Sequence, residues 1–178
     1  GVISIGLYLL FKYNEEKSMI FNISNIKYYY MGFDIFGLDP KEEAGGYFRA
    51  NCWYWRPLWS YVISVTPDLT SDEVIAGSDN SGNQISKESA EKIGRNIFAE
   101  KESGNLEEYY QKRKDYLENL PKESCYKCVE KDGKKDSDCH VCDGTGERKS
   151  MEASYPFSEE LALKFANFCL NSGGFEIC

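Results

Sequence analysis

The sequence predicts an α+β domain, mainly helical, with a small sheet formed by its N- and C-terminal segments and a cysteine-rich β-hairpin inserted before the last helix. Three observations carry this prediction. Two short segments near the ends repeat one pattern, Gly32-Phe33-Asp34-Ile35 and Gly174-Phe175-Glu176-Ile177. Between them, apolar residues recur at the spacing of helix faces. Four of the seven cysteines fall into two C-x-x-C pairs, Cys125/Cys128 and Cys139/Cys142.

At 178 residues the chain suits one domain, able to bury a core without a metal or disulfides merely to fold. An aromatic content of 15% argues against disorder. The net charge of −8 opposes general nucleic-acid binding and leaves only a local basic patch for that role. The apolar run Val2–Phe11 is about half the length needed to cross a bilayer. It lacks the flanks of a signal peptide, so the expectation is a cytoplasmic protein without a membrane partner.

From Phe11 to Tyr30, sixteen of twenty residues are Phe, Tyr, Met, Ile, Asn or Lys, the types that A/T-rich codons encode. Residues 1–30 therefore read either as a non-native N-terminal segment, with the native start at Met31 or at Met19, or as an extended strand or helix. Residues 31–178 read as a single α+β domain.

Gly32–Phe36 alternates apolar and polar residues, a strand pattern that ends at Gly37. Asp39-Pro40 and Gly45-Gly46 mark loops. Pro57 is expected in the first turn of a helix whose face is Leu58, Tyr61, Val62 and Val65, stopped by Pro67. Thr70-Ser71-Asp72-Glu73 has the pattern of a capping box, and Gly77 ends that helix. After a polar loop over Gly77–Gly82, Ser86 caps a helix with the face Ala90, Ile93, Ile97 and Phe98, ended by Gly104. Asn105, with Glu108 three residues on, suggests the next N-cap. Leu106, Tyr109, Tyr110, Tyr116, Leu117 and Leu120 are expected to line one side of that helix, which Pro121 closes. The last helix starts at Ser158, carries Glu159 and Glu160 in its first turn, and turns Leu161, Phe165, Phe168 and Cys169 to the core. Phe175–Cys178 is expected as a closing strand, paired with the first.

The insert, residues 124–149, holds the strongest chemical signal. Zinc takes four tetrahedral ligands and binds thiolates well, and two C-x-x-C pairs on adjacent loops supply that set from little backbone. Cys125, Cys128, Cys139 and Cys142 are therefore expected to hold one structural zinc. Asp143-Gly144-Thr145-Gly146 lets the backbone curl so that its N–H groups meet the sulfurs and offset the charge of the thiolates. Four protein ligands leave no open position for hydrolysis. An iron–sulfur centre takes the same thiolates, and redox or disulfide pairs are the non-metal reading, without the βαβ context a thioredoxin-like site requires. Cys52, Cys169 and Cys178 read as inert thiols, with a second metal site as the lesser alternative.

Cys139-His140-Val141-Cys142-Asp143-Gly144-Thr145-Gly146 resembles the C-x-x-C-x-G-x-G repeat of the DnaJ-type cysteine-rich domain. The likeness covers about 25 residues, and after Cys128 the glycines are misplaced. It implies a zinc-stabilised β-hairpin that helps contact proteins. The chain's one histidine, His140, is followed by Val141, so the His-Pro-Asp motif of a J-domain is absent. From Met31 on, the chain also looks similar to small proteins encoded by bacteriophages and their hosts. Residues 31–37, 47–51, 53–59 and 165–178 carry that likeness, which implies no activity.

Arg49, Trp53, Tyr54 and Arg56 form a candidate binding surface within an aromatic segment holding all three tryptophans. Stacking of bases or of a partner is the functional reading. The alternative makes Trp55 and Trp59 core anchors, with some of Trp53, Tyr54 and Arg56 lining a cleft.

Taken together, these features point to a zinc-binding accessory protein that contacts another protein. The first alternative is nucleic-acid binding through the zinc loops and the Trp/Arg segment. Residues 122–149 carry seven basic against seven acidic residues, which weakens it unless folding segregates Lys131, Lys134 and Lys135. The second alternative is an enzyme using Asp34, Glu176 or Asp39. A histidine base outside the cysteine loops is excluded, and no Walker loop or G-x-S-x-G elbow is present.

Overall fold

The computed structural model describes residues 32–129 and 137–178. The readings of residues 1–30 and of Met31, and the placement of Lys131, Lys134 and Lys135, lie outside these. Among the described residues the fold is α+β: six α-helices, mostly packed on one face of a four-stranded antiparallel sheet, beside a separate two-stranded ladder.

In β1 (Gly32–Gly37), Phe33 and Ile35 are buried and their neighbours are not, the alternation of a half-buried strand. It pairs with β2 (Tyr47–Asn51) on one side and with β6 (Phe175–Ile177) on the other. β3 (Asn83–Ile85) pairs with the far edge of β6, so the order is β2-β1-β6-β3. The expected joining of the two ends is present: Ile35 lies opposite Ile177, and Gly37 opposite Phe175. β2 and β3 are strands the sequence reading did not separate from their surroundings. β2 runs straight into an aromatic-rich helix, and β3 has a single buried residue, Ile85.

Helix α1 spans Cys52–Val65, which corrects the expected start at Pro57. Asn51 caps it, its side-chain oxygen accepting the Tyr54 N–H at 3.1 Å. That cap outranks proline as a start signal, so Pro57 lies inside the helix and cannot donate to the preceding turn. Helix α2 (Ser71–Ala76) has the complete capping box of Thr70 and Glu73. Helix α3 (Lys87–Ser103) is capped by Ser86 and buries Ala90, Ile93, Gly94 and Ile97. Gly94 allows the close approach of a later helix, since a Cβ there would meet the Ala166 carbonyl oxygen at 2.8 Å.

Gly104, at φ +84°, closes α3 and opens α4 (Asn105–Glu118) in a single residue. Its carbonyl accepts the Glu108 N–H at 3.1 Å, so the backbone of Gly104 takes the place expected of an Asn105 cap. A left-handed residue at this corner costs glycine least. The expected apolar side of α4 is also revised. Only Leu106 is buried, and Tyr116 is 48% exposed, because α4 lies at the edge of the helical layer. Helix α6 (Glu159–Asn171) begins after Ser158 as expected and buries Ala162, Phe165, Ala166, Phe168 and Cys169.

Trp55 sits at the centre of the core. Its ring stacks between Phe33 at 5.3 Å and Trp59 at 5.5 Å, and Phe165 meets it edge-on at 5.4 Å. Its indole N–H donates to the Gly77 carbonyl at 2.8 Å. Trp59 donates to the Val74 carbonyl at 3.0 Å. Gly77 must stay without a side chain, because a Cβ there would lie 1.8 Å from the Trp59 ring.

The buried Glu73 ties α2 to α3. Besides closing its capping box, it accepts the Ser86 hydroxyl at 3.1 Å. Burial is the largest single influence on its carboxyl and pushes its pKa up. The bonds from Ser89, Thr70 and Ser86 together outweigh it and hold the group below its ordinary 4.5. A depressed carboxyl stabilises the fold above its unfolded-state value, and that contribution fades as pH falls through the folded-state value. The stability difference between wild type and Glu73→Gln, followed by urea midpoints from pH 7 to pH 3, is expected to shrink toward the acid end. A difference that stays constant would rule out the ionised Glu73 as its source. Trp55→Ala is expected to cost about 3–5 kcal/mol in the same assay, because it empties a large buried site.

Candidate metal centre

The two strands β4 (Glu123–Ser124) and β5 (Glu147–Arg148) form a short neck. Arg148 bonds Glu123 across it at 3.0 Å, and Ser150 donates to the other Glu123 oxygen at 2.6 Å. Beyond the neck, Cys125 leads into the single turn α5 (Tyr126–Val129), and Cys125 N–H bonds the Gly146 carbonyl at 2.9 Å. The described strands of the insert are only these two-residue segments, and the first C-x-x-C pair lies on a helical turn instead of a hairpin strand.

The second pair is followed by the expected tight curl. Asp143, Gly144 and Gly146 have φ of 48°, 74° and 76°. Gly144 packs where a Cβ would meet the Ser137 carbonyl oxygen at 2.9 Å. The turn brings the Gly146 N–H to the Cys142 sulfur at 3.2 Å. Thr145 locks it, donating its hydroxyl to the Cys142 carbonyl at 2.6 Å.

The four sulfurs of Cys125, Cys128, Cys139 and Cys142 lie within 4.8 Å of one another, and all four residues are buried. Cys125 and Cys139 are 3.8 Å apart, and Cys128 and Cys142 are 3.7 Å apart. These separations are too long for disulfides, and none of the seven cysteines is disulfide-bonded. A tetrahedral ion with metal–sulfur bonds of about 2.3 Å places its sulfurs roughly 3.8 Å apart, which matches both pairs. A polynuclear cluster spreads its thiolates over several irons and fits this tight set less well. The four cysteines can hold one metal ion.

Electrostatics agree with the geometry. The Cys139 thiol is pulled down to about 7, first by the Val141 N–H and then, against burial, by the Cys142 N–H and the neighbouring thiols. Four thiolates at such distances repel one another unless a cation lies between them. Nor does an apolar core hold the module: among the described residues only the half-buried Val141 packs on the cysteines. His140 is exposed and outside the set.

Compared with known proteins, the chain matches no family model, no curated protein and no solved structure. The site is therefore read from its own residues.

The other candidate residues do not form one surface. Arg49 lies on the open face of the sheet, where it bonds Asp34 at 3.0 Å. Trp53 is half-buried and packs on Tyr155 at 4.9 Å. Arg56 is exposed, and Tyr54 lines a cleft. Trp55 and Trp59 are core anchors. Of the acids weighed for catalysis, Asp34 is held by Arg49 and Tyr47 and Glu176 by Gln84, both on the open face, while Asp39 is exposed. None lines the cleft to which Tyr54 belongs. Cys52 and Cys169 are buried in the main core, and Cys178 stands beside Glu176. Among the described residues these three join no metal-binding group.

In native buffer, a strong chelator is expected to make four further thiols react with Ellman's reagent, while Cys52 and Cys169 stay protected until the protein is denatured. Simultaneous release of all the buried thiols would show that the cysteine cluster and the main core open together.

Proposed function

We propose that the protein is a zinc-binding accessory protein whose ion is structural and whose cysteine module serves contact with another protein. The carrying observation is a close set of four buried sulfurs, two pairs of which stand at tetrahedral spacing, with only Val141 packed on them among the described residues. Zinc fits four thiolates without redox chemistry and leaves no coordination position for a substrate. The ion then supplies the cohesion the module lacks, and its binding free energy is folding free energy for this segment.

The protein-contact reading rests on what surrounds the neck. Tyr126 is 47% exposed under the Arg148 guanidinium, and Met151, just beyond the neck, is 56% exposed. Exposed aromatic and Met side chains beside arginine suit protein interfaces. The nucleic-acid alternative loses its proposed platform, because Arg49 is bonded on the sheet and Trp53 is packed on Tyr155.

Elemental analysis of untagged protein is expected to find one zinc per chain, and Cys139→Ser to lose it. The helical domain of that variant should still unfold cooperatively, since its core is separate. Iron in place of zinc, or no metal, would overturn the zinc assignment. Salt-sensitive binding of single- or double-stranded DNA at physiological salt would transfer support to the nucleic-acid reading.

A further inference from the structure

Helix α4 carries more apolar surface than the core covers. Tyr110, Leu117 and the following Leu120 remain partly exposed. With Tyr54 and the buried Phe157 they line a cleft of about 800 Å³ at the root of the cysteine module. Its size is that of a binding pocket, and it lies at a junction between two packed units, where such pockets concentrate.

The charge around this cleft is unlike that of the chain as a whole. Lys114, Lys122 and Lys149 line it and are exposed, and among the described residues none is in an ion pair. Glu159 and Glu160 also line it, the first ion-paired with Lys101 and the second with Lys164. Glu118 is the one acid of the cleft left outside an ion pair. Three uncompensated cations thus face one uncompensated anion, on a protein of net charge −8.

We propose that this cleft docks a segment of a protein partner that has an apolar anchor flanked by carboxylates. The inference rests on the protein-contact reading above and names the partner's chemistry. The anchor would sit on Phe157, Tyr110 and Leu117, and its flanking carboxylates would meet the lysines. Lysine is a mobile point charge, suited to acidic side chains without fixed orientation; a bidentate group would call for arginine. A nucleic-acid strand fits less well, because its evenly spaced phosphates would also face Glu118, Glu159 and Glu160. An acidic peptide needs charge only where the lysines stand.

The test is selection from a random peptide display library on intact, metal-loaded protein, followed by NMR mapping of the enriched peptide on the unaltered chain. Enriched peptides are expected to place Asp or Glu around an apolar residue and to shift the signals of Tyr110, Leu117 and Phe157. Their affinity should fall with added salt and drop about ten-fold or more in the triple variant Lys114→Glu, Lys122→Glu, Lys149→Glu. All three positions are exposed, and an unchanged circular-dichroism melt would show that the variant folds. Enriched peptides without acidic residues, or shifts confined to the cysteine module or the open sheet face, would overturn the cleft assignment and leave the protein-contact reading standing. No enrichment at all would count against both.

Discussion

Trp55 is the side chain on which the arrangement of the main core turns. One indole touches the N-terminal strand through Phe33, its own helix through Trp59, and the last helix through Phe165. Its N–H ends at the Gly77 carbonyl, just beyond α2. A buried indole needs that partner, because an unpaired donor in an apolar core is costly. The bond therefore sets the distance between α1 and the end of α2, and Gly77 has to be bare for Trp59 to lie against it. The sheet, α1 and α6 meet on this aromatic stack, and the indole hydrogen bonds of Trp55 and Trp59 tie α1 to α2 and its end.

The cysteine module follows a different physical rule. Among its described residues it has a two-residue ladder, one short turn and one half-buried valine packed on the cysteines, too little apolar surface to order a chain by burial. Among its described residues, cohesion comes from polar locks at the neck and from backbone N–H groups directed at sulfur, around four cysteines that can hold a metal ion. The molecule thus joins a unit held by hydrophobic packing to one built around four cysteines that can hold a metal ion. The cleft between them arises because α4 faces the junction with apolar residues that neither unit covers.

Local signals were legible where a few neighbouring residues decide the outcome. The capping box of Thr70 and Glu73, the Ser86 and Ser158 caps and the turn at Asp143-Gly144-Thr145-Gly146 are all where the sequence pattern placed them. Where two local signals competed, the reading failed. Pro57 looked like a helix start, yet Asn51 six residues earlier had already capped the helix, and Pro57 lies inside it. At Gly104, a left-handed residue served two helices and made an Asn105 cap unnecessary. In α4, a stripe of aromatic and leucine residues has the spacing of a core face, but spacing cannot show whether anything packs against that face.

By itself the sequence determined the four-sulfur set, the pairing of its two matching end strands and most helix caps, because ligand spacing, strand alternation and capping act over a few residues. Only the tertiary structure decided that Arg49 and Trp53 part company, that Trp55 and Trp59 are buried while Tyr54 lines a cleft, and that three lysines distant in sequence gather around that cleft without partners. Those outcomes depend on which surfaces meet across the fold. Burial and charge compensation are properties of such meetings, and a residue's own neighbours in the chain do not encode them.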